Sequence, residues 1–154
     1  MRELDRIDRR ILEALQRDGR IAMTELAHKV GLSATPVAER VKRLEKEGVI
    51  TGYHARVSPR ALGKTLLVFV EIKLAAKSDE VFERIKREMQ FVPEVLECHL
   101  VSGDFDYLIK ARLGDVSEYR KLLGSILLKL PSAAESRSYV VMEEVKESLI
   151  LPVD

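Results

Sequence analysis

The stretch from Ser33 to Gly48, SATPVAERVKRLEKEG, constrains this chain most, because it combines helix-end signals with one apolar face. Ser33 is a helix-capping residue type, and Pro36 is tolerated in a first turn, where missing backbone donors cost little. Gly48 supplies a C-terminal stop. The apolar residues between these ends repeat at i, i+4 and i+7: Val37, Val41 and Leu44. This spacing predicts a helix that buries one narrow stripe.

A shorter helix is predicted just upstream, over residues 24–30, and Gly31-Leu32 follows it as a tight turn. Two helices joined by a glycine turn, the second with an exposed basic face, are typical of a helix-turn-helix. The alternative is an ordinary helical hairpin with a solvated charged face. On the helix-turn-helix interpretation, phosphates are contacted by basic side chains and bases by the residues beside them. The predicted phosphate contacts are Arg40, Arg43 and Lys46, and the predicted base-reading residues are Thr35, Ala38, Glu39 and Lys42. Ser33 is also expected to belong to the DNA-binding set.

Length and composition allow one domain or two small ones: the chain has 154 residues, 46% of them apolar and 33% charged. It has no apolar run of about 18 residues that would span a membrane, and its charged start is unlike a secretory signal peptide. A single cysteine, Cys98, excludes an internal disulfide framework and favours the cytosol. Residues 1–57 hold 12 Lys and Arg against 9 Asp and Glu, whereas the remainder is slightly acidic. This asymmetry agrees with a first half that contacts DNA.

The first 57 residues are predicted to form a trihelical DNA-binding domain. Asp5, with Asp8 three residues later, is a plausible start of the first helix, which ends at Asp18-Gly19. Residues 49–57 contain β-branched side chains around Gly52-Tyr53, which suggests a short wing-like ribbon. Pro and Gly then break the pattern, so residues 58–65 are assigned as a linker.

The second half, residues 66–154, changes its hydrophobic period. Strands are expected at 66–74, 94–102, 106–113 and 135–145, with helices at 79–92 and between Asp115 and Pro131. The order β-α-β-β-α-β predicts an α+β, ferredoxin-like domain with one antiparallel sheet and both helices on one face. The other face of such a sheet is uncovered in a monomer, and an open apolar face predicts self-association.

No catalytic or metal site is predicted. Cys98 and His99 are neighbours on a strand and therefore face opposite ways, which prevents a direct nucleophile–base pair. Gly63-Lys64-Thr65 is similar to the end of a phosphate-binding loop, but Ser58 stands in place of the leading glycine and a strand follows instead of a helix.

The chain resembles the Lrp/AsnC family of transcriptional regulators along nearly its whole length. The similar blocks are LDRIDRRIL, DGRI, GLSATPVAERVKRLEKEGVI, LLVFVEI, ECHLVSGDFDYLIKAR, YRKLLG and SYVVMEEVKES. The resemblance implies a DNA-binding helix-turn-helix, a ligand-sensing domain without a cofactor, and dimers that assemble into higher even oligomers, octamers included. One departure is Val37, where close relatives usually carry cysteine; its place on the apolar stripe predicts an effect on packing alone.

The segment from Ser102 to Tyr107 is the predicted effector site. A hairpin turn alone would explain Gly103 and Asp104. An α-amino acid, however, needs a carboxylate for its ammonium and clustered N–H donors for its carboxylate, and a glycine turn between two aspartates offers both. The resemblance implies a pocket between dimers to which the last strand contributes. It points to Gly103, Asp104, Asp106, Tyr139, Val140 and Val141, with Leu100 and Val116 as apolar walls.

These features together predict a cytoplasmic, nucleoid-associated regulator that binds double-stranded DNA sequence-specifically and responds to a small amino acid. Leucine and alanine are the effectors that the resemblance favours. The alternative is a ligand-independent architectural protein that wraps DNA on an oligomer. A third class, an enzyme on the ferredoxin-like fold, would need a convergent acid–base or metal cluster, which the sequence does not contain.

Overall fold

A computed structural model of the chain describes residues 3–130 and 132–153. The chain forms two compact units, Met1–Arg56 with Lys146–Asp154, and Val57–Val145. Within the described residues, no helix is long and apolar enough to cross a membrane. The elements in chain order are α1 (Arg6–Arg17), α2 (Met23–Val30), α3 (Ala34–Lys46), β1 (Leu66–Leu74), α4 (Asp79–Met89), β2 (Val95–Leu100), β3 (Tyr107–Leu113), α5 (Val116–Lys129) and β4 (Ala133–Val140).

Helices α1 to α3 pack around a common apolar core. Asp5 caps α1 as predicted: its Oδ1 accepts hydrogen bonds from the backbone N–H groups of Ile7 at 2.9 Å and Asp8 at 2.8 Å. Gly31, with φ 75°, ends α2 in the left-handed conformation that favours glycine. The predicted stripe of α3 is buried, and its members are Val37, Val41 and Leu44.

Ser33 occupies the N-cap position of α3, but its side chain accepts no capping hydrogen bond from the helix. Pro36 removes one of the two backbone donors that a capping side chain at this position usually bonds. A capping side chain usually bonds the N–H of the second or third helical residue, and the third residue here is Pro36, which has no N–H. The exposed Ser33 hydroxyl is therefore not used to hold the start of α3.

The wing-like ribbon expected over residues 49–57 is not formed, since none of these residues lies in a strand. The backbone N–H groups of Val49 and Ile50 both bond to the carbonyl oxygen of Leu44, at 2.9 and 3.1 Å. The hydroxyl of Tyr53 donates to Glu45 Oε1 at 2.9 Å. These contacts hold the segment against α3 in place of a partner strand.

The second unit has the predicted ferredoxin-like topology. Its antiparallel sheet has the strand order β2-β3-β1-β4, with β1 and β3 in the middle. Alternate residues of these inner strands, including Val68, Val70 and Ile109, are fully buried under α4 and α5. The expected helical-face residues Ile85 and Met89 of α4 join this core.

The last strand was expected over 135–145 but runs from Ala133 to Val140. Its ladder ends where its partner begins: Val140 pairs with Val68, and the Val141 N–H bonds the carbonyl of Leu67, one residue from the start of β1. Strand β4 therefore ends because β1 has no further residues to pair with it. Pro131, expected to close α5, lies outside the described residues.

The helix-free face of the sheet is mixed in polarity, not apolar as expected. The half-buried Phe69 lies opposite Tyr139, but the next positions on the same face pair Glu71 with Arg137 and Lys73 with Glu135. Between the edge strand β2 and its neighbour β3, Lys110 Nζ contacts Glu97 Oε1 at 3.1 Å. Any association through this face therefore includes charged contacts as well as apolar ones.

Candidate DNA-binding surface and effector loop

The outward face of α3 is open, as the periodicity predicts. Because the stripe of α3 faces the core of its unit, the residues on the opposite side of the helix reach solvent. The predicted contact residues with exposed side chains are Ser33, Thr35, Glu39, Lys42 and Lys46, while Ala38, Arg40 and Arg43 are half-buried. The exposed set begins with short polar side chains and ends with cations, which suits a helix whose first turns enter a groove.

Arg40 and Arg43, two predicted phosphate contacts, both reach back to α1. Arg40 Nη1 lies 2.7 Å from Asp8 Oδ1 and 2.6 Å from Asp5 Oδ2, and Arg43 Nη2 lies 2.8 Å from Asp8 Oδ1. The Arg40 guanidinium, followed by the backbone hydrogen bond with Asp8, lowers the pKa of Asp5 from 3.8 to about 2. The hydrogen bonds to Asp5 and Asp8 in turn raise the pKa of Arg40. The two arginines are therefore engaged with carboxylates of their own unit.

The predicted effector loop, which contains Ser102 to Asp106, joins β2 to β3, and Asp106 anchors the end of the loop next to β3. This side chain is 6% exposed; its Oδ2 accepts the Leu74 N–H at 2.8 Å and its Oδ1 lies 2.6 Å from Lys77 Nζ. The Lys77 ammonium, followed by the Leu74 hydrogen bond, holds the pKa of Asp106 below its usual range. Asp106 thus ties the start of β3 to the end of β1.

Gly103 and Asp104 form the exposed tip of the same loop. Gly103 has φ 141°, and no atom lies within 4 Å of where a Cβ would sit, so the backbone angle alone selects glycine. Asp104 borders a cavity of about 270 Å³ on the helix-free face of the sheet. Its lining carries charges of both signs, namely Glu71, Lys73, Asp104, Glu135 and Arg137, beside Phe105 and Ser136.

The structure does not bring all the predicted effector residues together within one chain. Leu100 lies on edge strand β2, level with Tyr107 and the loop. Tyr139 lies on the opposite edge strand, β4, and the two edges are three strand spacings apart, about 14 Å. Val140 ends β4 and Val141 follows it, and Val116 begins α5 beyond the far end of β3. The predicted residues therefore form a loop group (Leu100, Gly103, Asp104, Asp106) and a β4 group (Tyr139, Val140, Val141), while Val116 stands apart from both at the start of α5.

The neighbouring Cys98 and His99 face opposite sides of the sheet, as predicted. Cys98 pairs with the buried Ile109, whereas His99 pairs with Leu108 and contacts Glu97 Oε2 at 3.1 Å on the helix-free face. Burial raises the pKa of the Cys98 thiol to about 11. The thiol is therefore protonated at neutral pH, which is the unreactive form.

Four charged residues that the sequence did not single out contribute to these sites. Asp8 was taken only as part of a helix-capping signal, yet its carboxylate is fully buried between two arginines. Lys77 was not considered, since it lies between the predicted strand at 66–74 and the predicted helix at 79–92. Lys73 and Arg137 follow from the water-facing alternation of β1 and β4, but their place beside Asp104 depends on a strand register that a single sequence does not specify.

A helix-turn-helix unit joined to a ferredoxin-like unit with a charged loop cavity defines a DNA-binding protein with a separate ligand-sensing domain. Residues 4–51 match the family described as winged helix-turn-helix DNA-binding, and residues 67–151 match the Lrp/AsnC ligand binding domain. The chain belongs to the Lrp/AsnC family of transcriptional regulators, which are not enzymes.

Individual relatives agree with this assignment. The chain is 57% identical to the leucine-responsive regulatory proteins of Escherichia coli and Salmonella typhimurium, over 96% of this chain and 90% of theirs. Among solved structures, it matches an AsnC family transcriptional regulator from Agrobacterium tumefaciens with a TM-score of 0.92 and 36% identity, over 96% of both chains. It also matches a Neisseria meningitidis transcriptional regulator in complex with L-Met, with a TM-score of 0.92, 31% identity, and 99% and 98% coverage.

Proposed function

We propose that this regulator binds DNA through the exposed face of α3 and changes its DNA affinity when a small amino acid binds at the effector loop. The first 57 residues are the DNA-binding domain, 58–65 the linker and 66–154 the effector domain, whose final segment, Lys146–Asp154, packs with the first domain. The place of action is the cytoplasm, on the nucleoid, because that is where a bacterial or archaeal regulator meets its DNA.

The observation that carries the effector proposal is the charge pattern of the loop cavity. Lys73 and Arg137 offer cations to a carboxylate, and Asp104 offers a carboxylate to an ammonium. A zwitterionic amino acid needs both. The relatives favour an apolar side chain on that amino acid, since one is named leucine-responsive and another was solved with L-Met.

The site is shared between two copies of the chain. Asp104 of the loop group supplies the charge for the α-amino group, and Lys73 of β1 and Arg137 of β4 supply those for the α-carboxyl group, whereas the β4 group supplies mainly apolar surface. Within one copy Asp104 and Arg137 border the same cavity, but Leu100 on β2 and Tyr139 on β4 lie on opposite edges of the sheet. A second copy can bring its β4 group to the first copy's Leu100 and loop. Dimers and higher even oligomers, octamers among them, provide such contacts, and their DNA half-sites are spaced at multiples of about 10 bp.

A mixing experiment tests the shared site. Asp104→Ala in the loop and Tyr139→Ala on β4 should each abolish the thermal shift produced by the most effective of the twenty amino acids. Co-expressing the two variants should restore roughly a quarter of the sites, because some pairs then combine an intact loop with an intact β4 group. No restoration, with mixed oligomers verified by mass spectrometry, would place both groups of each site in one copy.

The same titrations separate the regulator from the architectural alternative. Operator affinity should change with the amino acid by a coupling of about 1–3 kcal/mol, which is typical of allosteric proteins. A protein that wraps DNA regardless of ligand would give no thermal shift with any of the twenty amino acids and an unchanged operator affinity.

A further inference from the structure

Asp8 is a fully buried carboxylate between α1 and α3. One of its oxygens, Oδ1, contacts Arg40 Nη1 at 2.7 Å and Arg43 Nη2 at 2.8 Å. The other oxygen, Oδ2, accepts the backbone N–H of Asp5 at 3.4 Å. A buried charge is tolerated only when it is paired and hydrogen-bonded, so breaking this arrangement is costly and the side chains are strongly constrained.

This arrangement fixes the rotation of α3 about its own axis. Arg40 and Arg43 stand three residues apart and project from successive turns of the helix, and both converge on one oxygen atom. The exposed residues Glu39 and Lys42 each precede one of these arginines. Because each residue turns the helix by about 100°, holding the arginines inward also sets the direction in which Glu39 and Lys42 point.

The arrangement also removes two cations from the exposed charge of α3. Arg40 is bound by both Asp5 and Asp8, and Arg43 by Asp8, whereas the side chains of Lys42 and Lys46 are exposed to solvent. Cations bound to phosphates give sequence-independent, salt-sensitive affinity. Pairing Arg40 and Arg43 with Asp5 and Asp8 therefore lowers the affinity for DNA of any sequence. The base contacts of Glu39 and Lys42 are not affected.

We propose that Asp8 is a positioning residue that sets the sequence specificity of DNA binding by holding Arg40 and Arg43 against α1. It orients Glu39 and Lys42 toward bases and keeps the two arginines from acting as phosphate contacts. This inference rests on the proposed function of α3 as the DNA-reading helix.

The test uses the full-length protein, a duplex that the wild type selects from a random pool, and a scrambled duplex of the same composition. Binding is measured at several salt concentrations for the wild type, Asp8→Asn and Arg43→Gln. Asp8→Asn should lower the preference for the selected duplex about ten-fold or more, because the base-reading side chains lose their orientation. It should also steepen the salt dependence by up to about two phosphate contacts, as the released arginines reach the backbone. Arg43→Gln should leave the wild-type salt dependence unchanged.

Asp5→Asn is the matched control, since it removes an exposed carboxylate that contacts the same Arg40, and it should retain the preference for the selected duplex. Neither the preference nor the salt slope depends on the fraction of active protein, so partial unfolding cannot imitate the result. If Asp8→Asn fails to fold, the salt slopes of Arg40→Gln and Arg43→Gln decide instead.

If Asp8→Asn weakens binding to both duplexes equally and leaves the salt slope unchanged, the role of Asp8 is purely structural. A slope flattened by about 0.9 in Arg43→Gln would identify this arginine as a phosphate contact and overturn the proposal. Glu39→Gln and Lys42→Gln test the proposed function separately: an unchanged preference in both variants would mean that these two residues of α3 do not read bases.

Discussion

Lys77 Nζ lies 2.6 Å from Asp106 Oδ1, and this ion pair holds the end of the predicted effector loop against the segment between β1 and α4. The other carboxylate oxygen accepts the Leu74 N–H, so Asp106 has structural partners on both sides. The tip residues Gly103 and Asp104 are exposed and depend on this end of the loop for their position. Asp106 therefore contributes to the loop whether or not it also contacts the effector.

Asp106→Asn should lower the stability of the effector domain. The change removes the charge that pairs with Lys77 and weakens the bond to Leu74, and hydrogen bonds to charged groups are worth about 1.5–3 kcal/mol. Urea unfolding at pH 7, followed by circular dichroism, measures the effect. An unchanged midpoint would mean that the two contacts contribute nothing to stability.

Asp106→Asn should also abolish the amino-acid response while operator binding without effector survives, since α3 belongs to the other unit. Lys77→Met is the matched variant, because it removes the same ion pair and keeps the Asp106 carboxylate. If Asp106 binds the effector ammonium, Lys77→Met retains the response in operator titrations and Asp106→Asn loses it. If the response is lost equally in both, the ion pair matters only for the shape of the loop.

The ion pair between Arg40 and Asp5 should make the stability of the first unit depend on pH between about 4 and 2. The pKa of Asp5 is lowered from 3.8 to about 2 in the folded protein, so its ionised form is favoured by folding. The stabilisation is complete above pH 4 and is lost as the pH falls toward 2. Carbon-13 NMR titration of the Asp5 carboxyl should report this pKa, and Arg40→Gln should return it toward 3.8. A value already near 3.8 in the wild type would exclude the ion pair in solution.

Replacing Asp5 and Ser33, the N-cap residues of α1 and α3, with alanine should have different effects on stability. Asp5→Ala removes a side chain that accepts two backbone hydrogen bonds, so the unfolding midpoint should fall by several degrees. Ser33→Ala removes a side chain that makes no capping bond, so its stability should stay within about 0.5 kcal/mol of the wild type. Calorimetry on both variants makes the comparison, and equal losses would contradict the explanation based on Pro36.

The sequence was sufficient for the elements that depend on local pattern. The apolar stripe of Val37, Val41 and Leu44 located α3, and the change of period after residue 65 located the sheet. The missing wing and the early end of β4 depended on partners instead: Leu44 binds the segment after α3, and β1 offers no residues beyond Leu66 for pairing. Neither follows from propensity, because tertiary contacts decide them.

The functional sites, like the fold, were predictable where they depend on local pattern and not where they depend on tertiary contacts. Exposure along α3 follows largely from helical geometry: Thr35, Glu39, Lys42 and Lys46 were placed correctly at the surface, whereas Arg43, predicted on the same face, is half-buried against Asp8. That Arg40 and Arg43 bind Asp8 was not predictable, because each arginine lies more than 30 positions from Asp8 and the angle between α1 and α3 decides whether they meet. The separation of Leu100 from Tyr139 likewise required the strand order.

Arg137 should be a determinant of effector affinity. It borders the loop cavity with Lys73 and Asp104, and its guanidinium suits a two-point contact with a carboxylate. Replacing Arg137 with Gln removes a charge-assisted contact worth about 1.5–3 kcal/mol, which corresponds to a loss of roughly ten- to a hundred-fold in amino-acid affinity. Isothermal titration calorimetry with the most effective amino acid measures this loss directly.

The control for Arg137→Gln is Arg84→Gln, which removes an exposed arginine from α4 on the other side of the sheet. Both variants change the net charge equally, so a long-range electrostatic effect would weaken binding in both. A local contact weakens binding only in Arg137→Gln, and the free energy of unfolding should then differ little between the two variants. If Arg137→Gln binds the amino acid normally while Tyr139→Ala does not, the loop cavity is not where the effector's carboxylate binds.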